Sequence, residues 1–596
     1  MREESILTRH RRLSAFSAAF VSLALVAAAC GGDDSGDSNE TTAETTAAPG
    51  GDTTAPSEET TAPETTEGTE TTAPAEEVPE GGTLTIGMEQ EGDCMDWIAS
   101  CGGTSWTYWA VGSQTMPRAY DTVKEGDDWV YKPSILLTGE PELVTEPKQV
   151  VTYHISPDAK WDDGTPITSS DFKYTWDQIA NGSDVYDPTG YVDIESVDDS
   201  DPATAVVTFK TVYADWKALF GSGFGIYPSH LLTGKDHVAE MSNGYTFSGG
   251  PWKLESWNKG VDMTIVPNEN YWGEVPKLDK VVFRLIGDTA AEFQAFQAGE
   301  VDAIYPQPQI DVVEAIESGL NGNSAYTGDT GNFEAIWLNN GKAPFDSVAV
   351  RQAFAYSLDR GKIVEALFGG LGITTPLQVV NAPILSFYTD TEAFSGYTLD
   401  LDKVDELMTG DGWAKNGSGI WEKAGQTASF TLTTTAGNAR RALTQQVIQE
   451  QAGEAGFEVT LENIPAGDFF GQRLPAGEFQ AGIYAQVLTS LSPGTCNLWC
   501  SKNIPSEANG QSGQNWTRTN IPEVDPLLEQ VDTELDQDKR AEINKQADAI
   551  LAENAVTIPL DPLPNILIWS DKVLGAVSDN PTLGPWWNLN ELGIAS

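Results

Sequence analysis

Residues 250–303 constrain the fold more than any other stretch of this chain. Two short apolar runs come first, separated by the polar turn Asn258–Gly260. A β-forming run over Lys280–Ile286 follows, and Ala290–Ala298 then has the apolar spacing of an amphipathic helix, with Gly299 placed to end it. This order predicts three strands, a helix and a return to a strand, which is a unit of an α/β protein.

The later half of the chain repeats the alternation of strands and helices. Strands are predicted over Phe430–Thr435 and Phe457–Ile464, with a helix over Asn438–Ala455 that ends at Gly456. This order is typical of a βαβ unit. A further helical stretch is predicted over Pro526–Glu553.

Shorter elements are predicted before residue 250. A first strand covers Thr83–Met88, and a helix covers Ile167–Asp177. Strands at Ile194–Val197 and Ala205–Lys210 flank the polar run Asp198–Pro202, which predicts a hairpin with a polar turn.

The N-terminus has the pattern of a signal peptide over residues 1–29. Four arginines precede the apolar run Leu13–Ala29, which is short for a membrane span and rich in Ala and Ser. The end of this run resembles a bacterial lipobox, which implies that Cys30 is lipidated. We therefore expect an extracytoplasmic lipoprotein that is anchored to the cell membrane by its N-terminal lipid.

Residues 30–81 form a segment of Thr, Ala, Glu and Pro that follows the anchor. It contains no aromatic residue, Lys or Arg, and TTAP recurs in it. Such a composition cannot bury enough apolar surface to offset the entropy of ordering. We expect a disordered tether that holds the folded body away from the membrane.

Charge and length narrow the class of protein. The formal net charge is −54, and the acidic excess is spread along the chain. This argues against binding to nucleic acid or to anionic lipid headgroups. The roughly 500 residues beyond the tether exceed what one hydrophobic core serves, so several domains are expected.

No catalytic or metal-binding motif stands out. The four histidines are scattered, and no H-E-x-x-H, G-x-S-x-G or Walker sequence occurs. Asp198–Asp201 lacks the glycine and the distal glutamate of a calcium loop. We therefore expect a protein that is not an enzyme and needs no cofactor or metal.

Four segments, taken in their order along the chain, together indicate a family. They are Lys160–Trp176, residues 250–303, Phe345–Val364 and Leu399–Trp413. The second of them contains the motifs GPWKL, NENYW, PKLDK and GEVDA. From about Gly82 to the C-terminus the chain resembles the extracellular solute-binding proteins of peptide- and nickel-type ABC importers, solute-binding family 5.

The resemblance implies an α/β, two-lobed fold of the periplasmic-binding-protein type (type II), with a hinge and an additional α/β domain. The chain would cross the hinge twice, near 326–333 and 557–564, so that the lobes can close over a ligand. The implied bounds are 82–126, 246–328 and 563–596 for lobe I, 127–245 for the additional domain, and 329–562 for lobe II.

The resemblance also implies a function. We expect a substrate-binding lipoprotein that captures a small organic solute, peptide or peptide-like, and delivers it to the permease and ATPase complex of an ABC importer. We expect a monomer that binds no nucleic acid. The alternatives are a surface receptor or sensor lipoprotein that uses the same fold without transport and, more remotely, a surface hydrolase.

Four cysteines remain besides Cys30, an even number that suggests two disulfides in an exported chain, with three pairings open. A zinc site is the alternative, but no histidine lies near them and their spacing is not a standard zinc pattern. The resemblance places the first and second pairs on different lobes, where a crossed bond would restrain opening. It therefore implies the local pairs Cys94–Cys101 and Cys496–Cys500.

The resemblance places the ligand between the loop Glu89–Trp109 and the lobe II segment Phe479–Trp499. Peptide-binding relatives carry a W-x-x-D-Y-x-D-P word in that segment, whose first aspartate pairs with the ligand's α-amino group. Residues 486–493 keep only the proline and contain no carboxylate. The candidate ligand-binding residues are Glu89, Glu91, Asp93, Asp96, Trp106, Trp109, Tyr484, Gln486, Leu488 and Trp499.

A buried ammonium without a counter-charge is costly. The missing aspartate therefore predicts that unmodified peptides bind weakly, unless one of the acids of the first loop replaces it. We expect a ligand held mainly by aromatic contacts and neutral hydrogen bonds.

Overall fold

The computed structural model describes residues 78–595, apart from 103–104, 127, 222, 321–322, 328–330, 391, 489 and 510–512. The predicted signal peptide and Cys30 lie outside the described residues, as does the predicted tether up to residue 77. The described residues form a mixed α/β structure.

The largest sheet has seven strands. Their order across the sheet is Asn323–Thr327, Asn565–Trp569, Ala303–Ile304, Thr83–Met88, Lys280–Leu285, Asp262–Pro267 and Trp252–Asn258. Thr83–Met88 runs parallel to both of its neighbours, and the remaining pairs are antiparallel. All seven strands fall in the ranges predicted for lobe I. The bounds of the lobes remain a prediction.

Two hydrophobic cores lie on opposite faces of this sheet. Leu567 belongs to a core shared with the residues predicted as the additional domain, such as Tyr153. Its strand neighbours Ile566 and Ile568 belong to the other core, which continues into lobe II. This division follows from the alternation of side chains along a strand, which makes both faces of the sheet apolar.

The second sheet has five strands, in the order Glu458–Ile464, Ser429–Thr435, Ala481–Gln486, Phe333–Leu338 and Thr557–Pro562. The predicted βαβ unit is confirmed, because Ser429–Thr435 and Glu458–Ile464 pair in parallel across the helix Ala439–Ala455. Asn438 caps this helix by accepting from the backbone N of Arg441, and Gly456 ends it at φ +100°.

The two sheets are joined by two neighbouring chain connections. Asn323–Thr327 pairs with Asn565–Trp569 in the first sheet, and Phe333–Leu338 pairs with Thr557–Pro562 in the second. Between these strands the backbone N of Leu563 donates to the carbonyl of Asn332 at 3.0 Å, where the sequence predicts the hinge crossings. Two neighbouring chain crossings are a geometry that allows lobes to rotate about a hinge.

A four-stranded sheet lies within the range predicted for the additional domain, in the order Glu142–Val144, Val150–His154, Thr204–Phe209 and Ile194–Asp201. The polar turn predicted over Asp198–Pro202 is shorter in the structure, because the strand continues to Asp201 with a register shift after Asp198. This strand is at the edge of the sheet, where alternate side chains face water and acids are tolerated.

The helix that packs against this sheet is Ser169–Asn181, which begins with a capping box between Thr168 and Asp171. Besides Ala439–Ala455, the other α-helices of four residues or more are Ser229–Leu232, His237–Met241, Thr289–Gln297, Ile310–Glu317, Val348–Tyr356, Arg360–Phe368, Leu401–Gly410, Cys496–Trp499, Asp525–Thr533 and Gln537–Glu553. The remaining strands are Tyr120–Glu125, Asp128–Pro133, Ala414–Lys415, Trp421–Lys423, Gln426–Thr427, Val573–Leu574 and Gly593–Ile594.

The helical stretch predicted over Pro526–Glu553 is two helices and not one. Glu534 leaves the helical conformation, and the side chain of Asp536 then accepts a hydrogen bond from the backbone N of Lys539. An aspartate that caps a new helix in this way favours a break over a continuous helix.

Candidate functional site

Lobe I and lobe II contact each other at Gln307 and Gln309. Asn438 Nδ2 donates to Gln307 Oε1 at 2.5 Å, and the backbone N of Arg440 donates to Gln309 Oε1 at 2.8 Å. Asn438 and Arg440 lie at the start of the helix Ala439–Ala455. The amino end of a lobe II helix is therefore bonded to the lobe I segment that follows Ala303–Ile304, and the lobes are closed at this point.

Three aromatic side chains, Trp106, Trp109 and Tyr305, pack together beside this contact. We call them the aromatic group. Their ring centroids are 5.2 to 6.2 Å apart, and all three pairs are tilted or edge-on. Trp109 lies on a π-helical turn, Tyr108–Gly112, a form of helix that is frequent at functional sites.

A small apolar pocket adjoins the aromatic group. Its lining residues are Ile86, Gly87, Met88, Trp106, Trp109, Ala110, Phe283, Tyr305, Pro585 and Trp586. The C-terminal loop closes one side of the pocket by packing directly on Trp109. Gly584 has φ +83°, and a Cβ there would lie 2.2 Å from Trp109 Cγ, so only glycine fits this contact.

Glu89 is buried at the end of the first strand, next to the aromatic group. Its carboxylate accepts from the backbone N of Gln307 at 3.0 Å and from Gln307 Nε2 at 2.8 Å. Burial raises the pKa of Glu89, and the bonds from Gln307 partly oppose that rise. Glu292 lies nearby, fully buried, and its pKa is raised well above its ordinary value by burial and by the charge of Glu89.

A chain of hydrogen bonds leads from the aromatic group to the C-terminal loop and to lobe II. Tyr305 Oη donates to Asn565 Oδ1 at 2.7 Å, and Asn565 Nδ2 donates to Asp579 Oδ2. The backbone N of Leu488 donates to Asn332 Oδ1 at 3.2 Å, and Asn332 Nδ2 donates to Asn565 Oδ1 at 3.4 Å. The hinge residues Asn332 and Asn565 thus connect Leu488 with the aromatic group.

Asp579 is the carboxyl at the end of this chain. Burial raises the pKa of Asp579 to about 6, and hydrogen bonds from Asn565 and from the backbone N of Asn580 act against the rise. Its Oδ1 is enclosed and has no hydrogen-bond partner among the described residues.

The lobe II side of the closed contact contains a buried ionic cluster. Glu334 accepts from Arg440 Nη1 and Arg441 Nε, and all three side chains are nearly inaccessible. Burial alone would raise the pKa of Glu334, but the two guanidinium groups lower it. Asp561 stands opposite Glu334 on the next strand, and burial raises its pKa well above the ordinary value.

The additional domain contacts lobe II at a second place. Arg540 donates from Nη1 to Asp215 Oδ1 at 2.6 Å and from Nη2 to Asp215 Oδ2, and Ser492 Oγ also bonds to Asp215. The backbone N of Leu491 donates to Tyr131 Oη at 2.9 Å. The segment Phe479–Trp499 is therefore held from the side of the additional domain as well as from the hinge.

Two of the acids predicted as ligand-binding are engaged within the body of the protein. Glu91 accepts from Trp257 Nε1 at 2.9 Å and from the backbone N of Gly260 at 2.6 Å. Asp96 is fully buried and accepts from Tyr227 Oη at 2.9 Å. Both carboxylates therefore have internal partners. Glu89 also has one, Gln307, but it lies beside the aromatic group.

The remaining predicted residues lie in different surroundings. Asp93 is exposed. Tyr484 and Trp499 are buried and stack on Trp337, with ring centroids 4.9 and 5.8 Å apart, in the lobe II core. Gln486 and Leu488 are half-buried at the end of the strand Ala481–Gln486. The structure thus brings together Glu89, Trp106 and Trp109, and Leu488 is linked to Tyr305 of this group through Asn332 and Asn565.

The cysteines form the two local disulfides expected from the sequence. Cys94 is joined to Cys101, and Cys496 is joined to Cys500, with Cα–Cα distances of 5.5 and 4.7 Å. Each bond closes a short loop within one lobe, so neither restrains the hinge.

Within the described part of the chain, no group of three or more His, Cys, Asp or Glu side chains could hold a metal ion. No helix among those residues is both long and apolar enough to cross a membrane.

A family comparison decides what kind of protein has this arrangement. Residues 135–503 match the model of bacterial extracellular solute-binding proteins, family 5 (middle region). The chain belongs to this family. The family gives it a solute-binding role and a location outside the cytoplasm, and its members in the comparisons are binding proteins and not catalysts.

Individual family 5 proteins and structures are similar over most of the chain. The oligopeptide-binding protein OppA of Mycobacterium tuberculosis is 26% identical over 475 residues, covering 76% of each chain. The dipeptide-binding protein DppE of Bacillus subtilis is 23% identical over 452 residues, covering 73% of this chain and 80% of its own. The structure of the oligopeptide-binding protein AppA of Bacillus subtilis in complex with a nonapeptide superposes with a TM-score of 0.74 at 20% identity, covering 87% and 100%. The fold is that of the type II periplasmic binding proteins, as predicted.

Sequence reasoning missed several polar residues of this family 5 site. Tyr305 and Gln307 directly follow the GEVDA word, so their position after a strand of lobe I could have indicated a place at the cleft. The sequence indicated Asn438 only as the residue at which a helix begins. Asn565 and Asp579 lie in no motif, and only the folded chain brings them to Tyr305.

Proposed function

We propose that this protein is the substrate-binding lipoprotein of an ABC importer. It captures a small organic solute, peptide or peptide-like, between its two lobes and delivers it to a membrane permease. The observation that carries the proposal is the closed cleft. Gln307 and Gln309 of one lobe bond to the amino end of a lobe II helix, next to the aromatic group and beside two adjacent chain connections.

The relatives support a peptide or peptide-like solute. OppA and DppE are named for oligopeptide and dipeptide binding, and the AppA structure holds a nonapeptide. The segment 486–493 lacks the carboxylate that peptide-binding relatives place there, so this chain must hold its ligand by other groups.

Binding and closure can be measured together. Small-angle scattering and native mass spectrometry on the full-length protein, with and without a mixed di- to pentapeptide library, report lobe closure and bound mass. We expect library members to bind at a ratio of one to one and the radius of gyration to fall on binding. The proposal is overturned if no member binds and the dimensions do not change.

The lipid anchor is a separate part of the proposal. Cys30 ends an apolar signal, and a cysteine with two or three acyl chains holds a protein on a membrane. Cys30→Ser should release the protein from the membrane fraction or leave it unprocessed. A variant that is processed and fractionates like the parent would remove the lipid anchor from the proposal.

Delivery to a permease distinguishes an importer from a sensor. Genes for two permeases and two ATPases beside the gene of this protein would support transport. An isolated gene would favour a surface receptor with the same fold.

A further inference from the structure

The cleft wall formed by lobe I is acidic and lacks a compensating cation. Glu89 is bonded to Gln307, two residues after Tyr305, and Asp579 is joined to Tyr305 through Asn565. Glu292 lies against Gly87, which lines the same pocket as the aromatic group. Among the described residues, none of these three carboxyls forms an ion pair with Lys or Arg. A buried or half-buried carboxylate without a partner is unfavourable, so a cationic group from outside the chain would stabilise this wall.

The three acids differ in their surroundings. Glu292 has no exposed surface, and both of its oxygens lack a hydrogen-bond partner among the described residues. Glu89 already accepts two hydrogen bonds from Gln307. Asp579 differs from Glu292 because the residue is only half-buried: Asn565 satisfies Oδ2, and Oδ1 has no hydrogen-bond partner among the described residues.

Asp579 also lies where the ligand-binding segments converge. It is two hydrogen bonds from Tyr305 Oη, through Asn565. Its loop continues to Pro581, which packs with Leu488 around Gly331. A Cβ on Gly331 would lie 2.8 Å from Leu488 Cβ and 3.2 Å from Pro581 Cβ. Asp579 is therefore near the lobe II segment that lacks a carboxylate.

We propose that Asp579 is the anchor for a protonated amine of the ligand, whose cation lies against the rings of Trp106, Trp109 and Tyr305. The ammonium N–H donates to Asp579 Oδ1 in a charge-assisted hydrogen bond. The electron-rich faces of Trp and Tyr attract the same cation. This inference rests on the proposed function and replaces the expectation of a neutral anchor: the counter-charge comes from the C-terminal loop of lobe I.

The experiment compares two forms of one peptide library. Full-length parent, Asp579→Asn and Asp579→Glu proteins are incubated with a di- to pentapeptide library that contains no Lys or Arg, either free or N-acetylated, and bound mass is measured by native mass spectrometry. Asp571→Asn is the matched control, because this exposed carboxyl lies on the same lobe eight residues away. Circular dichroism confirms that each variant is folded.

We expect the parent and Asp571→Asn to retain free peptides and to reject acetylated ones. Asp579→Asn should bind free peptides about 10- to 100-fold more weakly, the range for losing a hydrogen bond to a charged group, and Asp579→Glu should recover part of the affinity.

Different results would contradict the amine anchor alone and the peptide-binding function as a whole. If the parent retains free and acetylated peptides equally, or if Asp579→Asn binds like the parent, Asp579 Oδ1 holds only water and the amine anchor is wrong while solute capture stands. If neither the parent nor any variant retains a peptide, the peptide-binding function is wrong and the amine anchor is wrong with it.

Discussion

Buried acids have different partners on the two walls of the cleft: cations on lobe II and neutral groups on lobe I. On lobe II, Glu334 is enclosed with two guanidinium groups, from Arg440 and Arg441. On lobe I, Glu89 and Asp579 are bonded only to neutral groups within the described structure, namely amides and the Thr289 hydroxyl. In the first arrangement the acid is paired with cations of the chain itself, whereas the second has negative charge that no side chain balances.

This difference indicates that the acid of lobe II belongs to a structural cluster and that the acids of lobe I belong to a binding surface. A buried ion pair that loses one partner leaves a charge in a poorly solvated site, so Glu334 is needed to keep lobe II folded. An acid without a cation partner adds little to stability and is available to a ligand. The largest effect on folding is therefore expected on lobe II, and the largest effect on binding is expected on lobe I.

The strongest test of this comparison is Glu334→Gln. Removing this carboxylate leaves Asp561 as the nearest acid to the buried Arg440 and Arg441, so the free energy of unfolding should fall by up to about 3–5 kcal/mol. Chemical denaturation measures the change. Asp405→Asn is the control, since its pair with Lys415 is exposed and its removal should cost about 1 kcal/mol or less. A loss in Glu334→Gln no larger than in the control would contradict the role given to the cluster.

Asp579→Asn should change folding in the opposite direction. The pKa of Asp579 is raised to about 6, so its charge opposes folding at neutral pH. Since the side chain is only partly buried, removing the charge should raise the free energy of unfolding at pH 7 by about 1 kcal/mol. The same denaturation experiment reports it. A loss of stability as large as that expected for Glu334→Gln would show that Asp579 is structural.

The two acids should also differ in the sign of their pH dependence. The folded-state pKa of Asp579 is above its unfolded value, so its contribution to stability falls as pH rises from about 4 to 6. The folded-state pKa of Glu334 is lowered, so its contribution is present above the unfolded pKa and is lost as pH falls. Parent-minus-variant stability, measured from pH 2 to 7, should rise with pH between about 2 and 4.5 for Glu334→Gln and fall with rising pH between about 4 and 6 for Asp579→Asn. Parallel slopes would remove the distinction between the walls.

The smallest effect is expected from the aromatic group. Trp106→Leu removes one ring face beside the proposed amine site, and the loss of about 0.5–1 kcal/mol should weaken binding of the retained peptides several-fold. Calorimetry on peptides that the parent retains measures this change. Phe387→Leu, an exposed ring on lobe II, is the control and should have no effect. Equal affinities in all three proteins would place the ligand away from Trp106.

The sequence predicted what depends on local order and missed what depends on distant contacts. The helix Ala439–Ala455 was predicted because Asn438 and Gly456 mark its ends within one short window. The acids of the first loop were proposed as anchors because they share a loop, yet Glu91 bonds to the backbone N of Gly260, 169 residues away. The bond between Tyr305 and Asn565 spans 260 residues, and no local pattern indicates it.

The most direct measurement is an experimental structure of the full-length protein bound to a peptide that it retains. The unbalanced acid on lobe I predicts an amine nitrogen within about 3 Å of Asp579 Oδ1, between that carboxylate and the rings of Trp106, Trp109 and Tyr305. A ligand whose amine lies elsewhere, with only water at Asp579 Oδ1, would contradict it.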